Sequence, residues 1–179
     1  MKPLLTGIAL LLSTPAYAQP ELESGLVGAV KGCEEWILRP ASWSNGPDAF
    51  AKAVGLGGRM GLVDKVEDAQ LPPPDLRRGN HYWRINATRE AGFLLVVSDQ
   101  LPMCHITGGG GVDLQPSIEA VLASAAFTAR WTRIDDISRG DVASTVFRNR
   151  KDKAFTIQIS RAKRPGQRLD RVQFISTAQ

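Results

Sequence analysis

The chain has 179 residues, with 22 Lys plus Arg against 18 Asp plus Glu, two Cys and two His. At 43% hydrophobic and 22% charged residues it lies in the globular range. That excludes a disordered tail, a collagen-like repeat and a cysteine-dense miniprotein.

Met1–Ala18 reads as a leader outside the fold. Lys2 gives a positive start, Leu4–Leu12 an apolar core, Pro15 a helix break, and Ala16-Tyr17-Ala18 a small-residue cleavage site. The apolar run is shorter than the roughly 20 residues a bilayer span takes. An uncut N-terminal anchor is the competing reading. Cleavage would remove Lys2 and no acid, so the net charge falls from +4 to +3. The expected location is periplasmic or secreted, with no transmembrane anchor.

Export gives the cysteines a meaning. In an oxidising compartment two buried thiols pair, and Cys33–Cys104 is the one intramolecular bridge available. It closes a loop of about 70 residues, worth up to roughly 4 kcal/mol in the chain-entropy model. Two free core cysteines are the alternative. His81 and His105 raise the count of potential metal ligands to four, but none are closely spaced, so no metal and no cofactor are expected.

In chain order, residues 21–38 predict a helix, with Leu22, Leu26, Ala29, Val30, Cys33 and Ile37 on one stripe and Glu23, Lys31, Glu34 and Glu35 off it. Pro40 ends it. Pro47 opens a shorter helix over 47–54, with Phe50, Ala53 and Val54 inward. Gly55–Gly61 lacks the spacing of a dinucleotide fingerprint, since Met60 stands where a glycine is needed, and reads as a flexible turn. Residues 62–80, with Pro72-Pro73-Pro74, read as an extended connector inside one domain covering 19–179.

From His81 the period becomes two. His81–Thr88, Phe93–Ser98 and Met103–Thr107 read as three strands, and Gly108–Gly111 as a break. Asp113 and Pro116 open a helix over 114–126, with Ile118, Val121, Leu122 and Ala125 inward. Strands follow at 127–134, 142–148, 154–162 and 168–177, the last with Val172 and Phe174 inward. Short links force antiparallel neighbours. The expectation is an α+β fold: one curved antiparallel sheet of about six to seven strands, two to three helices on one face, and one disulfide.

Chemistry has four candidate places. Gly108, Gly109, Gly110 and Gly111 lie between a strand and a helix start, where backbone amides can turn toward a small ligand or anion. They lack the Lys-Ser/Thr of a phosphate loop, and Asp113 opposes an anion. His105 could serve a small hydrolase with Ser98 or Asp99, brought near by hairpin pairing, although no nucleophile-elbow motif is present. Its other reading is a polar residue outside the core. Trp36, Trp43, Trp83 and Trp131 could line a sugar site, with core packing as their default.

The last place is a basic stretch. Arg148, Arg150, Lys151, Lys153, Arg161, Lys163, Arg164, Arg168 and Arg171 face only Asp152 and Asp170, a local charge of +7. Gathered into one patch, they would meet anionic envelope glycan, lipid headgroups or an acidic protein partner. Aromatic residues do not interleave with them, so nucleic acid is not expected. The expected function is a non-enzymatic binding or interaction module with this basic edge, and the alternative is the periplasmic hydrolase centred on His105.

Overall fold

The structure, a computed structural model, describes residues 18–163 and 172–178, the last stretch by its backbone alone. The leader through residue 17, Arg164, Arg168, Arg171 and the Pro165-Gly166 turn lie outside the described residues, as does the orientation of Val172 and Phe174.

Helix α1 spans Pro20–Leu38. Proline at its first position suits the missing amide donor there, and Glu21 and Glu23 complement the positive end. Arg39 donates its backbone N–H to Glu35, and Pro40 turns the chain into a short 3-10 turn, Pro40–Trp43. Helix α2 is Pro47–Ala53.

Eight strands follow: β1 (Met60–Val63), β2 (Asn80–Asn86), β3 (Ala91–Ser98), β4 (Met103–Gly110), β5 (Trp131–Arg139), β6 (Val142–Asn149), β7 (Phe155–Ala162) and β8 (Val172–Ala178). They form one antiparallel sheet in the order β1-β2-β3-β4-β8-β7-β6-β5. Between β4 and β5 lie α3 (Gln115–Ala123) and α4 (Ala125–Thr128). The α+β class, the antiparallel sheet and the disulfide are as expected.

Several boundaries differ from the expectation. The Gly55–Gly61 turn runs into β1, which adds an eighth strand; four residues, Met-Gly-Leu-Val, are too few to show a period. Gly108–Gly111 does not break the chain after Thr107. β4 continues through Gly110 because Gly108, Gly109 and Gly110 pair with Phe93, Gly92 and Ala91. The helix expected over 114–126 divides at Ser124, whose extended backbone stops α3 and whose hydroxyl caps α4 by accepting from Phe127 N–H at 3.2 Å. Asp113 takes the Gln115 N–H at 3.0 Å.

One face of the sheet carries the main core. Across it Leu62, Trp83, Leu95 and Ile106 succeed one another as register partners from β1 to β4, and Ile159, Thr145 and Asp136 from β7 to β5. The buried side chains of α1, α2, α3 and α4 join this cluster. Helix α1 sits close to the sheet because small residues face it. A Cβ on Gly32 would fall 2.7 Å from a Leu95 methyl, and one on Gly25 would fall 3.0 Å from Ala87 Cβ.

Cys33 and Cys104, 1% and 0% exposed, are joined across this contact with their Cα atoms 5.5 Å apart. Glu34, read as off the stripe, is buried too. Its carboxylate accepts from Arg130 and from Asn149 Nδ2, the latter at 3.1 Å, and so ties α1 to the far half of the sheet.

The opposite face carries a smaller cluster. Leu94, Val96 and Met103 are covered there by Val63, Val66, Leu76, Tyr82 and Leu101, most of them from the connector and its flanks.

The bridge closes a separation of 71 residues, so it should stabilise the fold by up to roughly 4 kcal/mol through the unfolded chain. Replacing both cysteines by serine is expected to lower the urea midpoint accordingly. Because both sulfurs are buried, the native protein is expected to resist dithiothreitol until it unfolds, which thiol counting against urea concentration would check.

Candidate functional site

Strands β2, β3 and β4 present their second face as four rungs. These are Asn80–Ser98, Tyr82–Val96–His105, Arg84–Leu94–Thr107 and Asn86–Gly92–Gly109. The last rung places two glycines side by side, and their missing side chains leave a dent in the sheet. Gly92 cannot be enlarged, since a Cβ there would lie 2.3 Å from the Ile85 carbonyl oxygen.

A pocket of about 320 Å³ opens over this dent. Gly92, Gly109, Gly110 and Thr107 line it together with Arg84, Asn86, Arg89 and Glu90, and with Glu67 and Gln70 from the connector. The volume is at the lower end of the range for small-molecule sites. Two of the four glycines singled out in the sequence therefore line a pocket. They do so as strand backbone, and Gly108 instead packs toward Leu114 and Phe93.

Thr107 is the distinctive member. It is 1% exposed, and its hydroxyl has no hydrogen-bond partner among the described residues. A buried hydroxyl without a partner costs on the order of 1–3 kcal/mol. His105, one rung deeper, is 0% exposed, with neither Nδ1 nor Nε2 partnered among the described residues. Burial pushes its pKa from 6.5 down to about 4. The expectation that His105 would sit outside the core or be hydrogen-bonded is corrected. It leaves the main core, as its alternation with Cys104 and Ile106 requires, and enters the second one.

The other members of the hydrolase reading are committed elsewhere. The Ser98 hydroxyl donates to the Arg78 carbonyl at 2.6 Å and accepts from Gln100 N–H and Leu101 N–H at 3.0 and 2.9 Å. Asp99 meets His81, not His105, with Nε2 3.3 Å from Oδ2. Ser98 and His105 share a face, yet no hydrogen bond joins them.

The described basic residues from Arg148 onward fall into two groups. Arg148, Arg150, Lys151 and Lys153 lie at the β6–β7 turn, while Arg161 and Lys163 lie at the other end of β7. Eight residues of strand separate the two groups by roughly 25 Å. Arg150 Nε donates to the Thr128 carbonyl at 3.0 Å. Arg161 pairs with Glu119, and one of its terminal nitrogens donates to Thr145 Oγ1 at 2.9 Å. Thr145 in turn donates to Asp136 at 2.9 Å. The Arg133 side chain, donating to Asp136 at 2.7 Å, holds that carboxyl below its ordinary range, with Thr145 adding to the effect.

Among the described residues no group of three or more His, Cys, Asp or Glu is placed to hold a metal ion, and no helix is long and apolar enough to cross a membrane.

Sequence reasoning missed the pocket because its floor comes from cross-strand register, which a single strand does not display. The signal that pointed toward it was the glycine run.

The buried imidazole has a measurable consequence. In the unfolded chain His105 takes up a proton near pH 6.5; in the fold it does so only near 4. Between those values the unfolded state binds more protons, so stability falls as pH falls. From pH 7.5 to 5.0 this group is expected to remove about 2 kcal/mol. Urea unfolding at both pH values checks it. The His105→Leu variant is expected to lose about that much less than the wild type over the same interval.

No protein-family model, curated protein or solved structure matches the chain.

Proposed function

We propose that the chain is an exported, non-enzymatic binding module that takes a small polar ligand in the glycine-floored pocket. One observation carries the reading: the buried, unpartnered Thr107 hydroxyl beside the Gly92–Gly109 pair. That oxygen is closed off in the free fold, so a ligand atom that reaches it through a small shift of the lining would supply the missing partner. The cystine favours an oxidising compartment, and the leader-like first residues favour export.

The walls define the ligand's chemistry. Arg84 and Arg89 bring positive charge, Glu67 and Glu90 negative charge, and Asn86 and Gln70 neutral amides. Such a set suits a small zwitterion, of amino-acid or dipeptide size, better than a polyanion. The commitments of Ser98 and Asp99 elsewhere, and the burial of His105 without a partner among the described residues, weigh against the hydrolase reading.

A second reading keeps one specific observation. Arg148, Lys151 and Lys153 are exposed in a single hairpin, and none of them forms an ion pair among the described residues. This shorter basic edge would meet anionic envelope glycan, lipid headgroups or an acidic partner protein.

A thermal-shift series on the wild type and Thr107→Val separates the readings. Free amino acids and dipeptides are expected to raise the midpoint of the wild type. Thr107→Val is expected to weaken that binding about tenfold while leaving the free protein equally stable or up to about 1 kcal/mol more stable, since it removes an unpaired hydroxyl. Equal binding by both proteins would overturn the pocket. A rise given only by polyanions, and lost in Lys151→Glu/Lys153→Glu, would transfer the function to the basic turn.

A further inference from the structure

A second site lies on the other face, at the opposite end of β3. Pro40 folds the chain back after α1, so that Trp43 stacks on Trp36 with ring centroids 4.9 Å apart and planes 23° apart. The Trp36 indole N–H donates to the Ser98 carbonyl at 2.7 Å, which fixes that ring to the end of β3. His81 packs against both indoles, at 5.5 and 5.3 Å, and its Nε2 holds Asp99 Oδ2. The result is a cleft of about 480 Å³ whose wall includes Trp36, Ile37, Pro40 and Trp43 and whose rim carries Asp99 and Gln100.

We infer that this cleft binds one ring of a neutral saccharide. Trp36 is 4% exposed behind Trp43, so the open aromatic surface is the part of Trp43 that its stack on Trp36 leaves uncovered. The Asp99 side chain is 48% exposed at the rim, beside the exposed Gln100 amide. A pyranose has the complementary form: an apolar C–H face for the indole wall, and hydroxyls at its edge for a carboxylate and an amide. The wall and the carboxylate are held in place by contacts among Trp36, Trp43, His81, Ser98 and Asp99, so little ordering is left for binding to impose.

Other ligand classes fit less well. A flat aromatic molecule would cover the wall and leave the carboxylate without donors. An organic cation would satisfy Asp99 but needs rings arranged around it, and here the two indoles stack on each other. Acidic sugars would meet the Asp99 charge. The inference is independent of the glycine pocket, since no residue is shared between the two linings.

The test is a titration of the 15N-labelled protein with cellobiose, maltose and N,N′-diacetylchitobiose, following the indole N–H signals by NMR. At least one sugar is expected to move the Trp36 and Trp43 signals together and saturably, with a Kd of about 1–10 mM, as suits a single shallow ring site. The Trp83 and Trp131 signals are expected to stay. Trp43→Ala should weaken binding about tenfold or more, Trp43→Phe less than about threefold, and Asp99→Asn about threefold or more. Stationary Trp36 and Trp43 signals at saturating levels of all three sugars would overturn the inference. So would binding undiminished in Trp43→Ala where its remaining amide spectrum matches the wild type. Shifts with tetramethylammonium and none with sugar would assign the cleft to cations instead.

Discussion

Helix α1 lies across β3 and β4 at a distance set by small residues, and most of the molecule is arranged around that contact. Gly25 and Gly32 let the helix backbone approach Ala87 and Leu95, where any larger side chain would push it away. The cystine then joins helix to strand at Cys33 and Cys104. Because β4 is central, pairing β3 on one side and β8 on the other, the clamp holds the middle of the sheet. Helix α3 must pack beside α1 on the same face, and the Gln19 N–H donates to Ser117 Oγ at 2.8 Å where they meet. Glu34, reached from β5 and β6 through Arg130 and Asn149, extends the same helix's hold to the far strands.

Once the helices are committed to one face, the other has to be covered by irregular chain. The connector does this for Leu94, Val96 and Met103. It does not supply hydrogen-bond partners for Asn80, His105 or Thr107, whose buried polar atoms are unpartnered among the described residues. Buried groups of this kind are rare because each costs more than an apolar replacement would. The main core tolerates few; the second core holds three in neighbouring rungs. That asymmetry concentrates unmet hydrogen-bonding capacity on the second face.

The parts of this architecture with a strong local period were legible in the sequence. The α1 stripe repeats over five turns, and Phe93–Ser98 is an unbroken apolar run, so helix and central strand were both readable. The cystine followed from compartment and count. What failed to show was whatever depends on register or direction. Strand β1 is too short to carry a period. The glycine run looked like a loop because glycine is poor in isolated strands, whereas here its partners are Phe93, Gly92 and Ala91. Closeness in sequence groups Lys153 with Arg161, yet the extended β7 carries these two to opposite ends. The members of the indole cleft, at positions 36, 43, 81 and 99, are scattered in sequence and meet only through the fold.

Strand β3 links the two proposed sites. Ala91–Leu94 at its start border the glycine pocket, and Ser98 at its end both anchors Trp36 and borders the cleft. An eight-residue strand puts these ends roughly 25 Å apart. The pocket opens on the second face and the cleft on the first, so ligands in the two would not collide. Both stand on β3, which is buried along nearly its whole length and lies under α1. The connector supplies Glu67 and Gln70 to the pocket, and the short turn after α1 supplies Pro40 and Trp43 to the cleft. One clamped helix thus fixes the strand on which both proposed sites stand.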